Sequence, residues 1–279
     1  MSAIRVEELT KSYGAYEALR GVSFEIEAGE VFGLLGPNGA GKTTTVEILE
    51  GYRTRGGGTV SVLGEDPERA SRAWRERIGV VLQSSSLYPN LTVRESLALF
   101  GGYYEKPRDV DEIVGIIGLA EKANGRVRTL SGGQKRRHDL GLALVGDPEL
   151  IFLDEPTTGF DPSARRTAWE TIRGLRQLGK TVLLTTHYLD EAAQLADRVA
   201  VLREGRIVTI GSPEELTATR TGAEIRFRRG GEQVVLESDE PARAVAELYA
   251  AEGELEALEV RRATLEEIYL SLTDEEPGA

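Results

Sequence analysis

The chain has no cysteine among its 279 residues, so no disulfide holds its fold, and a reducing interior suits it. Long hydrophobic runs are absent too. No stretch approaches the ~18 apolar residues that a membrane helix needs, which excludes a chain that crosses a bilayer as helices by itself. The opening Met-Ser-Ala-Ile-Arg-Val-Glu lacks the apolar core of a secretory signal. Positive charge is scarce relative to negative: 34 Lys and Arg face 46 Asp and Glu, a formal net charge of −12. That balance argues against a nucleic-acid backbone as the main partner. The acidity is concentrated late, with fifteen acidic and six basic residues between Gly222 and Ala279. What remains is ordinary globular composition, 40% hydrophobic and 29% charged, long enough for one large core and a small second domain.

Hydrophobic patterning predicts strands over residues 5–9, 22–26 and 31–35. The last is almost continuously apolar, as in a sheet covered on both faces. Residues 43–50 have the composition of a helix ended by Gly51, and Gly56-Gly57-Gly58 introduces a strand over 59–63. Between Gln83 and Leu130 the apolar spacing turns helical, which predicts a small helical insertion at about 84–130. Strands over 150–153 and 181–185 flank a helix over about 162–178, the alternation of an open parallel sheet with helices on its faces. A hairpin around Glu204-Gly205 follows, then a short helix with Ser212 as cap and Pro213 at its first position.

Past Thr221 the pattern changes to short strands over 225–227 and 234–236, a helix over about 242–251, a strand over 255–260, and a last helix opened by Thr264 and Glu267 in capping-box spacing. No Pro- or Ser-rich linker marks the junction. The expected division is therefore residues 1–220 and a separate acidic α+β module over 221–279.

Residues 36–43, Gly-Pro-Asn-Gly-Ala-Gly-Lys-Thr, fit G-x-x-x-x-G-K-[ST] between a predicted strand and a predicted helix. Gly36, Pro37, Asn38, Gly39, Ala40, Gly41 and their neighbour Thr44 form the candidate phosphate-binding loop, whose backbone N–H groups, absent at Pro37, close around phosphate oxygens, with the helix N-terminus adding partial positive charge. Lys42 would reach the β- and γ-phosphates, and the Thr43 hydroxyl would bind Mg²⁺. The apolar strand over 150–153 ends in Asp154-Glu155. Alone, this pair reads first as a helix N-cap. Beside a phosphate loop it divides two tasks, because neighbouring side chains on a strand point to opposite faces: Asp154 holds Mg²⁺ through its water shell, and Glu155 polarises the attacking water.

With these elements, Leu130-Ser131-Gly132-Gly133-Gln134 resembles the signature of the ATP-binding-cassette (ABC) ATPases, a resemblance covering about the first 215 residues. It implies a P-loop NTPase fold: a mostly parallel sheet with an antiparallel β subdomain and a helical subdomain. It also implies that Ser131, Gly132, Gly133 and Gln134 read the γ-phosphate of ATP bound to a second copy. Tyr13 matches the aromatic that stacks on adenine, Gln83 the Mg²⁺-sensing glutamine at the joint with the helical insertion, Asp161 the D-loop aspartate, and His187 the switch histidine. Two positions depart from the family's usual pattern. His138 stands where an apolar residue is usual, and Phe160 replaces a leucine. His138 reads as a solvated or packed substitution, since no second ligand-type residue accompanies it. The run Lys135-Arg136-Arg137 reads as a solvated helix face.

Residues 264–273 and the phrases Tyr88-Pro89-Asn90-Leu91-Thr92-Val93 and Thr157-Thr158-Gly159 resemble the bacterial daunorubicin-resistance type of drug-export ATPase. The tail equally suits a docking helix. The resemblance implies an ATPase with ATP and Mg²⁺ as cofactors, acting as an ATP-dependent dimer on separate membrane permease subunits at the cytoplasmic face, with export of drugs or other hydrophobic compounds as its work. The alternative from another class is a soluble ABC ATPase acting on nucleic acid or the ribosome. Its usual paired cassettes or coiled-coil insertions are not seen in this sequence.

Overall fold

The computed structural model describes residues 2–81, 88–218, 223–229, 232–253 and 255–262, in two compact units, residues 1–210 and 211–279. The expected division at 220 differs from this by the turn and short helix after residue 210.

In the first unit, β1 (Ser2–Tyr13) and β2 (Tyr16–Glu27) pair antiparallel across a two-residue turn. β3 (Val31–Leu35) leads through the glycine-rich loop into α1 (Lys42–Leu49), and β4 (Gly57–Val62) returns to pair with β1, giving a three-stranded sheet in the order β2-β1-β4. Next come α2 (Arg72–Arg75), β5 (Ile78–Val81), α3 (Val93–Gly101), α4 (Val110–Ile116) and α5 (Gly132–Leu144). The unit is completed by β6 (Leu150–Asp154), α6 (Pro162–Gln177), β7 (Thr181–Thr186), α7 (Leu189–Leu195), β8 (Arg198–Arg203) and β9 (Arg206–Gly211). The main sheet runs β5-β6-β7-β3-β8-β9, with parallel pairing from β5 through β8. β8 and β9 join through Glu204-Gly205, where both residues have positive φ, 48° and 75°, the requirement of a type I′ hairpin turn.

The continuous apolar strands of this sheet are explained by their two faces. Phe32, Leu34, Leu150, Phe152, Leu183, Ala200 and Leu202 face one core with Ile4, Leu9 and Trp74 beneath the antiparallel sheet. Their neighbours Val31, Ile151, Leu153, Val182 and Leu184 face a second core with Leu97, Ile113, Leu144 and Ile172 from the helices. The side-chain period of two sorts each strand's residues between these cores. The expected α/β architecture with an antiparallel β group is what the structure contains; α3 and α4 fall within the helical insertion expected at about 84–130, and α5 follows it.

The second unit begins with α8 (Pro213–Ala218). Its N-terminus is closed by Ser212 and Glu215 in a reciprocal pair, Glu215 N donating to Ser212 Oγ at 3.0 Å and Ser212 N to Glu215 Oε2 at 2.8 Å. β10 (Ala223–Arg229) lies between β11 (Glu232–Ser238) and β12 (Glu256–Arg262), antiparallel to both, and α9 (Pro241–Glu252) packs on β10. Ala223, Ile225 and Phe227 are buried at alternate positions. The expected helix opened by Thr264 lies outside the described residues. Among the described residues, no helix is long and apolar enough to cross a membrane.

Candidate active site in two clefts

β3 ends inside the sheet at Leu35, and Gly36 N donates to Thr186 O at 3.3 Å, so the glycine-rich loop starts at the carboxyl edge between β3 and β7. The loop must then turn sharply into α1. Gly41 makes that turn with φ 109°, and a β-carbon there would lie 2.8 Å from Ala18 O, so only glycine fits without displacing backbone. The hairpin turn supports the loop from behind through Gly205 N donating to Ala40 O at 3.0 Å.

One cleft is lined by Tyr13, Asn38, Gly39, Gly41, Lys42, Thr43, Thr44 and Glu155, together with Tyr16 and Ala18. Sequence reasoning missed Tyr16, whose hydroxyl donates to Gly39 O at 3.0 Å; its only signal was an aromatic close after Tyr13. The Tyr13 ring has Lys11 Nζ 5.5 Å and Arg53 Cζ 5.3 Å from its centroid, two cation–π contacts. Lys42 is buried at 5% exposure and its Nζ donates to the carbonyls of Gly36 at 2.8 Å and Pro37 at 3.2 Å. Burial lowers its pKa, opposed by Glu155 and Asp154. Lys42 Nζ lies 3.6 Å from Glu155 Oε1.

At the end of β6 the two carboxylates part. Asp154 Oδ2 accepts from Thr43 Oγ1 at 3.4 Å and Oδ1 from Thr185 Oγ1 at 2.5 Å. The Thr43 and Asp154 oxygens form a hard donor set facing the phosphate loop, which fits Mg²⁺. Glu155 adopts φ 45°, and its amide donates to Thr185 Oγ1 at 3.0 Å. That turn directs its carboxylate toward Lys42 and His187. His187 Nδ1 lies 3.3 Å from Glu155 Oε1 yet makes no hydrogen bond among the described residues. Gln83 lies outside the described residues.

The signature residues stand elsewhere. Ser131 caps α5 in a capping box with Gln134: Gln134 N donates to Ser131 Oγ at 3.3 Å, and Ser131 N to Gln134 Oε1 at 2.9 Å. Gly132 and Gly133 form the first turn of α5. Asp161 caps α6, accepting from Ser163 N and Ala164 N at 2.9 Å each. Ser131, Gly133, Gln134 and Asp161 line a second cleft, and among the described residues none lines both. One chain therefore does not bring Ser131 and Gln134 to its own Lys42 cleft.

One expectation is corrected. The run Lys135-Arg136-Arg137 is not a solvated face. Arg136 donates to Asp154 O at 2.7 Å and Pro156 O at 3.3 Å, and Arg137 to Gly118 O at 2.9 Å. Burial lowers the pKa of both guanidiniums. Of the two readings of His138, solvated or packed, the structure has the packed one, at 1% exposure. His138 Nε2 lies 2.5 Å from Ser96 Oγ, itself 2.9 Å from Val93 O, so the buried imidazole shares a hydrogen bond with the Ser96 hydroxyl. Glu191 was also missed: it is fully buried, and its Oε1 accepts from Thr157 Oγ1 at 2.7 Å and Trp169 Nε1 at 3.1 Å.

The sequence matches the ABC transporter family over residues 19–158. Among curated relatives, Nod factor export ATP-binding protein I of Paraburkholderia xenovorans is 44% identical over 243 residues, 85% of this chain and 80% of its own. Among solved structures, the ADP conformation of MJ1267, an ATP-binding cassette of an ABC transporter, superposes with a TM-score of 0.69 at 28% identity, over 77% of this chain and 92% of that one. A dimeric post-hydrolysis state of the ATP-binding cassette MJ0796, bound to ADP and Pi, superposes at 0.67 with 26% identity, over 75% and 98%. The phosphate loop, the paired carboxylates and the matched relatives agree: this chain belongs to the ABC transporter family as an ATP-binding subunit, an ATPase that uses ATP with Mg²⁺.

Proposed function

We propose that this chain is the ATP-hydrolysing subunit of an exporter, working at the cytoplasmic membrane face as a dimer on separate permease subunits. The observation that carries this reading is the separation of the signature residues Ser131 to Gln134, with Asp161, from the Lys42 cleft of the same chain. Each cleft is then one wall of a shared site. ATP lies between residues 36–44 and Tyr13 of one copy and Ser131, Gly132, Gly133 and Gln134 of the other. The dimeric structure of the related cassette MJ0796 supports such pairing.

In this reading Lys42 moves from the loop carbonyls and Glu155 to the phosphates, and the Gly41 turn orients loop amides toward them. Mg²⁺ would be held by Thr43, Asp154 and Gln83, and when bound it neutralises charge on the β- and γ-phosphates. Glu155 orients and polarises the attacking water, and His187 contacts the γ-phosphate beside it. Closure of the clefts drives the permease, and hydrolysis resets it. Export as the direction is supported by the Nod factor export relatives and by the resemblance of residues 264–273 to drug-export ATPases. The cargo we propose is a drug or other hydrophobic compound, with its path formed by the permease.

The test is co-expression with the neighbouring reading frame expected to encode a permease of about six apolar helices. The chain should co-purify with it from membranes, and ATP hydrolysis should respond to it. Glu155→Gln should retain nucleotide and lose ~10²-fold or more in turnover, the ordinary worth of a general base. Hydrolysis that ignores the permease and rises with DNA or RNA would overturn the exporter reading in favour of a soluble ATPase.

A further inference from the structure

Arg136 does not line the Lys42 cleft, yet it is built into the site. It lies five residues after Ser131 on α5, where Asp139, Asp154 and Glu191 oppose the effect of burial and favour its charge. Its Nη2 donates to Asp154 O at 2.7 Å and its Nε to Pro156 O at 3.3 Å. Those carbonyls flank Glu155, whose φ of 45° is a left-handed conformation that residues with a β-carbon keep only where surroundings impose it. From the other side, buried Glu191 on α7 accepts from Thr157 Oγ1 at 2.7 Å. The turn that carries Glu155 is gripped by α5 before and after the glutamate, and by α7 one residue later.

We propose that Arg136 is a positioning residue for hydrolysis: by holding the carbonyls of Asp154 and Pro156, the residues on either side of Glu155, it aims that carboxylate, and it ties the helix capped by Ser131 to the water-polarising group of the same chain. This rests on the reading of Glu155 given above. A guanidinium suits the task because its planar fork presents donors at fixed spacing to two carbonyls, whereas a lysine ammonium is a point charge. Arg136 reaches the backbone carbonyl of Asp154 rather than the carboxylate that would hold Mg²⁺, so its loss should weigh on turnover more than on nucleotide binding.

The experiment compares Arg136→Gln and Arg136→Lys with the unchanged full chain, measuring kcat and KM for ATP and the affinity for a fluorescent ATP analogue on the same samples. Arg136→Gln should lower kcat by about 10- to 100-fold, the scale of a misaimed catalytic group, with KM and affinity held within about twofold. Arg136→Lys should fall between. In a Glu155→Gln background, Arg136→Gln should leave both the residual turnover and the Mg·ATP-dependent dimer as they were. Full turnover by Arg136→Gln overturns the proposal. So do a parallel loss of nucleotide affinity, which marks a merely structural residue, no recovery by Arg136→Lys, and a further fall beyond Glu155→Gln. If Glu155→Gln itself keeps full turnover, the reading of Glu155 fails instead, and that arm separates the two failures.

Discussion

Glu50 ends α1 and lines a cleft with Arg75, Tyr104 and Asp139. Its burial, with smaller contributions from the charges of Asp154 and Glu47, raises its pKa from 4.5 to about 8. A carboxyl raised on folding binds its proton more tightly in the folded chain. Folded stability from this group is therefore fully present below about 4.5 and is lost as pH rises toward about 8. At about 1.4 kcal/mol per pKa unit the loss has a ceiling of roughly 5 kcal/mol. Glu50 is only partly enclosed, which reduces it to on the order of 2 kcal/mol. Glu50→Gln keeps the shape and removes the ionisation. It should be more stable than the unchanged chain by on the order of 2 kcal/mol at pH 8.5, and nearly equal at about pH 3.5, below the unfolded value. Urea unfolding followed by tryptophan fluorescence reads this directly, because both tryptophans, Trp74 and Trp169, lie in the first unit. An equal shift at both pH values, or a less stable variant at pH 8.5, would refute the electrostatic reasoning.

Two further substitutions probe the site from opposite directions. Gly41→Ala places a β-carbon 2.7 Å from Leu19 Cδ2 and 2.8 Å from Ala18 O at a φ of 109°; it should cost about 2 kcal/mol and weaken nucleotide affinity at least ~10-fold. A fluorescent-nucleotide titration checks it, and unchanged affinity contradicts the tight-turn account. His138→Leu leaves Ser96 bonded to Val93 O, so stability should stay within about 1 kcal/mol and kcat within roughly twofold. A tenfold fall in kcat would mean that the buried imidazole acts on the signature helix rather than filling space.

The legible parts of this protein are those where chemistry demands particular residues at fixed offsets along one segment. The phosphate loop needs glycines and a lysine in order, and β6 needs its carboxylates at the strand end; both stand where the sequence places them. β5 escaped notice because Ile78–Val81 is four residues long and contains Gly79, too short for any period to show. Arg136 and Glu191 were misread or missed for another reason. A charged residue on a helix pattern reads as solvated, and only the fold brings the carbonyls of Asp154 and Pro156 to one and the Thr157 hydroxyl to the other. Ser131 and Asp161 show the same limit at a larger scale. Their motifs are local, but the cleft they share joins residues 30 positions apart, at the N-termini of α5 and α6.

The central claim is that the two clefts are halves of sites completed by a second copy. Sedimentation velocity of Glu155→Gln with Mg·ATP tests it most directly, run beside the same protein carrying Ser131→Arg in addition. The account predicts a nucleotide-dependent dimer for the first and a nucleotide-bound monomer for the second. A monomer in both, or a dimer indifferent to Ser131→Arg, would contradict it.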